Sequence, residues 1–196
     1  GDSTISAEKF KMLVETLKSN TTLTSISISG NNIGNNEANI FVDIVKYNPR
    51  IISASIRNDN SWGSKIDENI LKEVGYYTFK NKLPNLLSTN DVTKISTWDL
   101  GCYKTFGDKE AEALAEILKK NTFVLSLDLD HNCIGDDGAK ALADMLKYNK
   151  SITSISLRFK EESYYNDTRI GSEGAKALAE ALKQNTSVTK IILDGH

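Results

Sequence analysis

The sequence predicts an α/β repeat solenoid: a curved horseshoe with parallel strands on its concave side and helices on its convex side. Three observations carry this expectation. A short segment of alternating apolar residues recurs at near-fixed spacing, an amphipathic helical segment follows each copy, and an asparagine stands at a fixed place after each helical segment.

The recurring strand segment reads LTSISISGNNIG from Leu23, VLSLDLDHNCIG from Val124 and ITSISLRF from Ile152. The first two fit the pattern LxxLxLxxNxIG and the third fits its first half. Alternation of this kind marks a half-buried strand. Units open at Leu23, Ile51, Ile95, Val124, Ile152 and Val188. Leu23 to Ile51 and Val124 to Ile152 are both steps of 28 residues, and Ile95 to Val124 is 29. The steps of 44 after Ile51 and 36 after Ile152 leave insertions of 16 and 8, placed near 61–65, 82–92 and 161–169. Two registers fit residues 92–100, opening the unit with Val92–Ile95 or with Ile95–Trp98. The second, with Trp98 and Leu100 inward, needs less stretch before Phe106–Gly107 and is preferred.

In the helical segments apolar residues recur at i, i+3, i+4 and i+7, one face of a helix. Phe10, Leu13, Val14 and Leu17 form one set, and Ala111, Leu114, Ala115 and Leu118 another. Ala38, Phe41, Val42 and Val45, then Ala139, Leu142, Ala143 and Leu146, then Ala175, Leu178, Ala179 and Leu182 repeat it. The helix between, on Leu71, Val74, Gly75 and Thr78, is degenerate. Asn20, Asn48, Asn81, Asn121, Asn149 and Asn185 are expected to cap the helix ends, since Asn tolerates the left-handed conformation that closes a helix. Asp108, Glu110, Asp136, Asp137 and Glu173 at helix starts complement the helix dipole.

Strand, Asn-containing turn, Ile-Gly and the AKALAEALKQN helix from Ala175 resemble the long leucine-rich repeats of the ribonuclease-inhibitor family. The resemblance covers all but the insertions. It implies the horseshoe fold, and related arrays serve as immune-receptor sensor domains, as an activator of the Ran GTPase and as tropomodulin-like actin-capping proteins. It is specific for architecture and poor for activity. In such an array Asn31 and Asn132 are expected to turn inward and bond to backbone; Asp59, Tyr103, Lys160 and His196 stand at that place elsewhere. Strands stack about 4.8 Å apart while helices need roughly 8–10 Å, so the stack bends. The whole chain, 1–196, is expected to form one domain of about five units plus terminal partial units.

The composition is 39% hydrophobic and 26% charged with a formal net charge of −2, a balance that points to neither nucleic acid nor anionic lipid. No apolar run approaches the roughly 20 residues of a membrane helix. Two cysteines, Cys102 and Cys133, do not make a disulfide scaffold. They and His131 fit no recognised metal or catalytic pattern, so no enzyme activity, cofactor or metal is expected. A cytoplasmic setting follows, the host cytoplasm if the chain is a bacterial effector.

Residues alternating with the buried ones face the concave side, and a protein partner is expected there. Asp99, Asp128 and Asp130 fall on adjacent strands as an acidic patch flanked by Arg57 and Arg158, suited to a basic segment. The plain alternative is a solvated sheet face. Trp62 in one lengthened loop, with Phe159, Tyr164 and Tyr165 in or beside another, line the neighbouring rim, either as binding aromatics or as the loops' own small core. A protein-interaction module is the leading reading; a secreted bacterial effector imitating host repeats, or a small-GTPase regulator using Arg57 or Arg158, are the alternatives. Neither end shows a polar cap, which suggests a longer array or edge-to-edge pairing of two copies.

Overall fold

The computed structural model describes residues 7–29, 33–57, 66–87, 94–96, 106–159 and 169–194, with the side chains of 7–10 and 96 excepted. The chain divides into two compact units, Gly1–Lys82 and Leu83–His196. Strand and helix alternate through both.

In the first unit, α1 (Ala7–Lys18), β1 (Ser25–Ser29), α2 (Asn35–Tyr47), β2 (Ser53–Arg57) and most of α3 (Glu68–Leu86) follow in order. Strands β1 and β2 pair in parallel, Ser25 against Ser53 through Ser29 against Arg57. The 3.6-residue periodicity puts Val14, Leu17, Ala38, Phe41, Val42 and Val45 into one core with Ile51, Ile56 and Val74.

The second unit contains β3 (Lys94–Ser96), α4 (Asp108–Leu118), β4 (Ser126–Asp128), α5 (Asp136–Tyr148), β5 (Ser154–Ser156), α6 (Ser172–Gln184) and β6 (Lys190–Ile192). Its four strands pair in parallel in chain order. Leu114, Leu118, Leu142, Leu146, Ile152 and Ile155 are fully buried, at 0% exposure. Strands β3, β4 and β5 turn Ile95, Leu127 and Ile155 towards the helices, as the alternation requires, and β6 follows with Ile191 while Ile192 lies on the other face.

Register in β3 differs from the preferred reading. Lys94 pairs with Ser126, Ile95 with Leu127 and Ser96 with Asp128. Ile95 therefore occupies the second apolar position of its unit, and the unit opens at Val92. Val92, Ile95 and Trp98 are each three apart, so the pattern is satisfied twice and periodicity cannot choose. The extra residues lie after the strand: Ile95 to Phe106 spans 11 positions where Leu127 to Ile134 spans 7. Trp98 and Leu100 lie outside the described residues.

The asparagines stand where expected but in another conformation. Asn48, Asn149 and Asn185 have φ of −110°, −71° and −84°, all extended. Among the described residues other than glycine, only His131 has positive φ. The asparagine side chains instead tie neighbouring repeats together. Asn149 Nδ2 donates to Leu118 O at 2.7 Å and Asn121 O at 2.8 Å, while its Oδ1 accepts from the N–H groups of Ser151 and Ile152, both at 2.9 Å. Asn48 donates likewise to Leu17 O and Asn20 O, and Asn185 to Leu146 O and Asn149 O. Each amide thus takes up the orphan carbonyls at the end of the preceding helix. Asn81 donates to Val45 O, Asn48 O and Ile51 O from inside α3, which runs on through Pro84 to Leu86. Capping a neighbour does not require one's own helix to stop, so part of the insertion near 82–92 is helix.

A second ladder joins helix starts. The N-cap residues are Gly34, Gly107, Gly135 and Gly171, which have no capping side chain. Asp108 Oδ1 accepts from Gly135 N at 2.7 Å and Gly138 N at 2.9 Å; Asp136 Oδ1 accepts from Gly171 N and Gly174 N, both at 2.8 Å. Where the third helical residue is Glu37 or Glu110, that carboxylate instead takes the N–H of its own N-cap glycine, at 3.0 Å. The acidic residues do more than complement the dipole: they satisfy named donors.

On the outer helix surface Lys119 bridges Asp144 at 2.9 Å and Glu116 at 3.1 Å. The hydrogen bond from Lys119 holds the Asp144 carboxyl below the usual carboxylate range, and the same bond holds the Lys119 ammonium above its ordinary value. The pairing is complete above the ordinary carboxylate pKa and is lost as pH falls through the lowered one. Lys119→Ala is expected to move the Asp144 titration back up, as read by NMR. An unmoved titration would mean that Lys147, at 3.5 Å, holds Asp144 alone.

Candidate functional site

The sheet of the second unit turns three rows of side chains to the face away from its helices. Lys94, Ser126, Ser154 and Lys190 form the first, and Asp128, Ser156 and Ile192 the second. Beyond the strands, Asp130, Arg158 and Asp194 form the third. Arg158 N donates to Asp130 Oδ1 at 2.8 Å, and Arg158 Nε lies 4.0 Å from Asp130 Oδ2 and 3.6 Å from Asp194 Oδ2. Phe159 follows, its N–H bonded to Asp194 O at 2.8 Å. The Arg169 guanidinium lies 4.7 Å from the centre of the Phe159 ring, within cation–π range.

Asp128, Asp130, Arg158 and Phe159 are thus brought together. The acidic patch is altered in two ways. Ser96, not Asp99, lies beside Asp128 in the β3–β4 register, and Asp99 lies outside the described residues. Asp130 is also no free acid, because Arg158 sits between it and Asp194. With Lys94 and Lys190 at the edges, the face alternates in charge rather than being acidic. Arg57 is exposed at the end of β2, opposite Ser29 in the first unit. Trp62, Tyr164 and Tyr165 lie outside the described residues.

Arg169 went unnoticed in the sequence. Its place before Ile170–Gly171 marks a loop exit, but its contact with Phe159 depends on the path of the loop, which no periodicity encodes. Lys94 was missed because the register was misassigned.

The turn after β4 holds His131 at φ 60°, a left-handed conformation in which histidine is several-fold enriched among non-glycine residues. Its N–H donates to Arg158 O at 2.7 Å, and its buried Nδ1 has no hydrogen-bond partner among the described residues. Asn132, the motif asparagine, is 7% exposed. Its Nδ2 donates to Leu129 O and Asp130 O, backbone of its own turn. Asn31, Asp59, Tyr103, Lys160 and His196 lie outside the described residues. So does Cys102; Cys133 is half-buried, and its N–H bonds Phe106 O. Among the described residues no group of His, Cys, Asp or Glu is placed to hold a metal ion, and no helix is long and apolar enough to cross a membrane.

The Leucine Rich repeat family model matches residues 19–36 and 120–143, the two stretches with the fullest strand motif. Two segments of this chain therefore carry the leucine-rich-repeat motif. Leucine-rich repeats are typical protein-binding architectures and are generally non-catalytic. No curated protein matches the chain. Among solved structures, leiomodin-1 actin-binding site 2 is 18% identical over 93% of this chain and 78% of that one, with a TM-score of 0.38. The Caenorhabditis elegans tropomodulin C-terminal domain is 11% identical over 95% and 83%, with a TM-score of 0.39. Neither likeness extends to what those proteins bind.

Proposed function

We propose that this chain is a protein-recognition module whose second unit binds its partner on the exposed sheet face, with Phe159 and Arg169 as the anchor at its edge. The observation that supports this most is the make-up of that face. Ser126, Ser154 and Ser156 leave the middle of the sheet low, while Lys94, Asp128, Arg158, Lys190 and Asp194 stand at intervals around it. A surface of alternating sign steers and registers a protein of complementary pattern more than it attracts any one charge. Phe159 adds apolar area, and aromatic and arginine side chains are the commonest hot-spot residues. The 28-residue step between units and the full helices of 11–13 residues support a repeat of the long, ribonuclease-inhibitor-like type.

Affinity capture with the intact chain, compared with Asp128→Lys and Phe159→Ala, tests the reading. Each variant is expected to lose about tenfold or more in affinity for the captured protein, since hot-spot truncations cost about 2 kcal/mol or more. Equal retention by all three chains would reject this face as the binding surface.

A further inference from the structure

We propose that the second unit docks on an anionic lipid surface by the edge where its helices end and its strands begin. The chain's net charge of −2 conceals an uneven distribution in this unit. Residues 117–126, 145–154 and 181–190 run from the ends of α4, α5 and α6 to the starts of β4, β5 and β6. They hold Lys119, Lys120, Lys147, Lys150, Lys183 and Lys190, and no aspartate or glutamate. Asp108, Asp136 and Glu173 stand at the opposite ends of the same helices. Helix α5 has 13 residues, about 20 Å of length, against a screening length of about 8 Å at physiological salt. The acids at one edge therefore do not cancel the lysines at the other.

The asparagine ladder sets the three turns side by side. Asn149 donates to Leu118 O and Asn121 O, and Asn185 to Leu146 O and Asn149 O. Five of the six lysines lie within two residues of Asn121, Asn149 or Asn185, so the ladder holds them along one edge. The nearest acids, Glu116, Asp144 and Glu180, stand within a turn of Lys119, Lys147 and Lys183 on the helix flanks. Lys119 bridges Glu116 at 3.1 Å and Asp144 at 2.9 Å, and Lys147 lies 3.5 Å from Asp144. Six lysines against three acids leave the edge with an excess of three positive charges.

The helix dipole accounts for lysines in the last turn of a helix. It does not account for Lys150 and Lys190, which lie beyond the helix ends, or for the apolar side chains beside them. Tyr148 is 64% exposed, Leu125 43% and Phe123 40%; with Leu193 they are the large apolar side chains that this unit exposes among its described residues. Lysines interleaved with exposed aromatic and leucine side chains suit a peripheral contact with anionic lipid. The ammonium groups meet the headgroup charge while the rings enter the interface. The diffuse potential of a leaflet acts on the excess charge of the whole edge. An acidic peptide or a nucleic-acid strand would have to compete with Asp144 for Lys119 and Lys147.

Co-sedimentation of the full chain with phosphatidylcholine vesicles, with and without phosphatidylserine, tests this. Binding is expected to tighten about tenfold or more when phosphatidylserine is included, and to fall back at high salt. Lys120→Gln with Lys150→Gln removes two exposed charges and is expected to weaken binding about thirtyfold. Lys109→Gln with Lys140→Gln makes the same change of net charge near the helix starts and is expected to leave binding unchanged. Tyr148→Ala is expected to weaken it about fivefold by removing the ring. All of these positions are exposed, and the circular dichroism melt is expected to stay native in each variant. Equal binding to both vesicles, equal losses in the two lysine pairs, or tighter binding of polyglutamate or a single-stranded DNA oligonucleotide than of the vesicles would each overturn the proposal.

Discussion

Replacing Asn149 by aspartate is expected to destabilise the second unit by about 3 kcal/mol or more, a large part of the roughly 5–15 kcal/mol that holds a domain together. Asn149 is 1% exposed and makes four backbone hydrogen bonds, two given and two accepted. Aspartate keeps the acceptor for Ser151 N and Ile152 N. It removes both donors and sets a carboxylate oxygen against Leu118 O and Asn121 O, at the negative end of α4. Leu118 O keeps a longer bond from Asn121 N and Asn121 O one from Ser151 Oγ, both at 3.2 Å. The larger part of the cost is therefore the buried, unpaired carboxylate set against them, which costs about 3 kcal/mol or more. The substituted carboxyl is disfavoured as an anion there, so its pKa in the folded state lies above its unfolded value. Protonation restores one donor. The deficit against the native chain is therefore expected to narrow as pH falls towards about 4, the ordinary carboxylate range. Urea unfolding at several pH values measures both effects. A deficit under about 1 kcal/mol, or one that does not depend on pH, would show that the asparagine ladder is not what joins the repeats.

That ladder shows how far the sequence could be read. The six asparagines were found by position alone, because a repeat fixes spacing. Their role was not legible, since a helix-closing asparagine and one that caps its neighbour occupy the same place in the sequence. The difference lies in the sign of φ and in which carbonyls come within hydrogen-bond reach, which depends on how closely the next helix packs. Helix faces such as Leu142, Ala143 and Leu146 were legible because 3.6-residue periodicity marks the apolar side, although Leu13, Leu71, Ala175 and Ala179 of the same pattern are exposed. The register of β3 was not, because Val92, Ile95 and Trp98 satisfy the same spacing twice. At the candidate site the strand alternation correctly placed Asp128, Asp130 and Arg158 on one face. It could not show that Arg158 lies between two aspartates, because that pairing joins side chains 28 and 36 residues apart.

Two glycine-to-alanine substitutions are expected to change stability in opposite directions, although both lie in helices. Helix propensity alone favours alanine by about 0.8–1 kcal/mol at either position. Gly75 in α3 is exposed, and a Cβ there meets nothing within 4 Å. Gly75→Ala is therefore expected to stabilise the chain by about 0.5–1 kcal/mol. At Gly138 a Cβ would stand 2.6 Å from Asp108 Oδ1, 2.9 Å from Ile134 Cγ2 and 3.1 Å from Asp108 Cα. The carboxylate cannot retreat without releasing Gly135 N and Gly138 N, which it holds at 2.7 and 2.9 Å. The Cα can move only with the whole start of α4. Overpacking costs about 1–3 kcal/mol and each released buried donor about 1–3 kcal/mol, so together they outweigh the propensity gain. Gly138→Ala is expected to destabilise by about 2 kcal/mol or more, read as a lower urea midpoint with unchanged slope. Asp108→Ala removes the nearest atom and both capping bonds at once, so the two substitutions share one cause. Their combined cost is expected to fall short of the sum of the separate costs. Strict additivity, or a stabilising Gly138→Ala, would mean that the helix starts are held by the dipole alone and that the aspartate ladder contributes nothing.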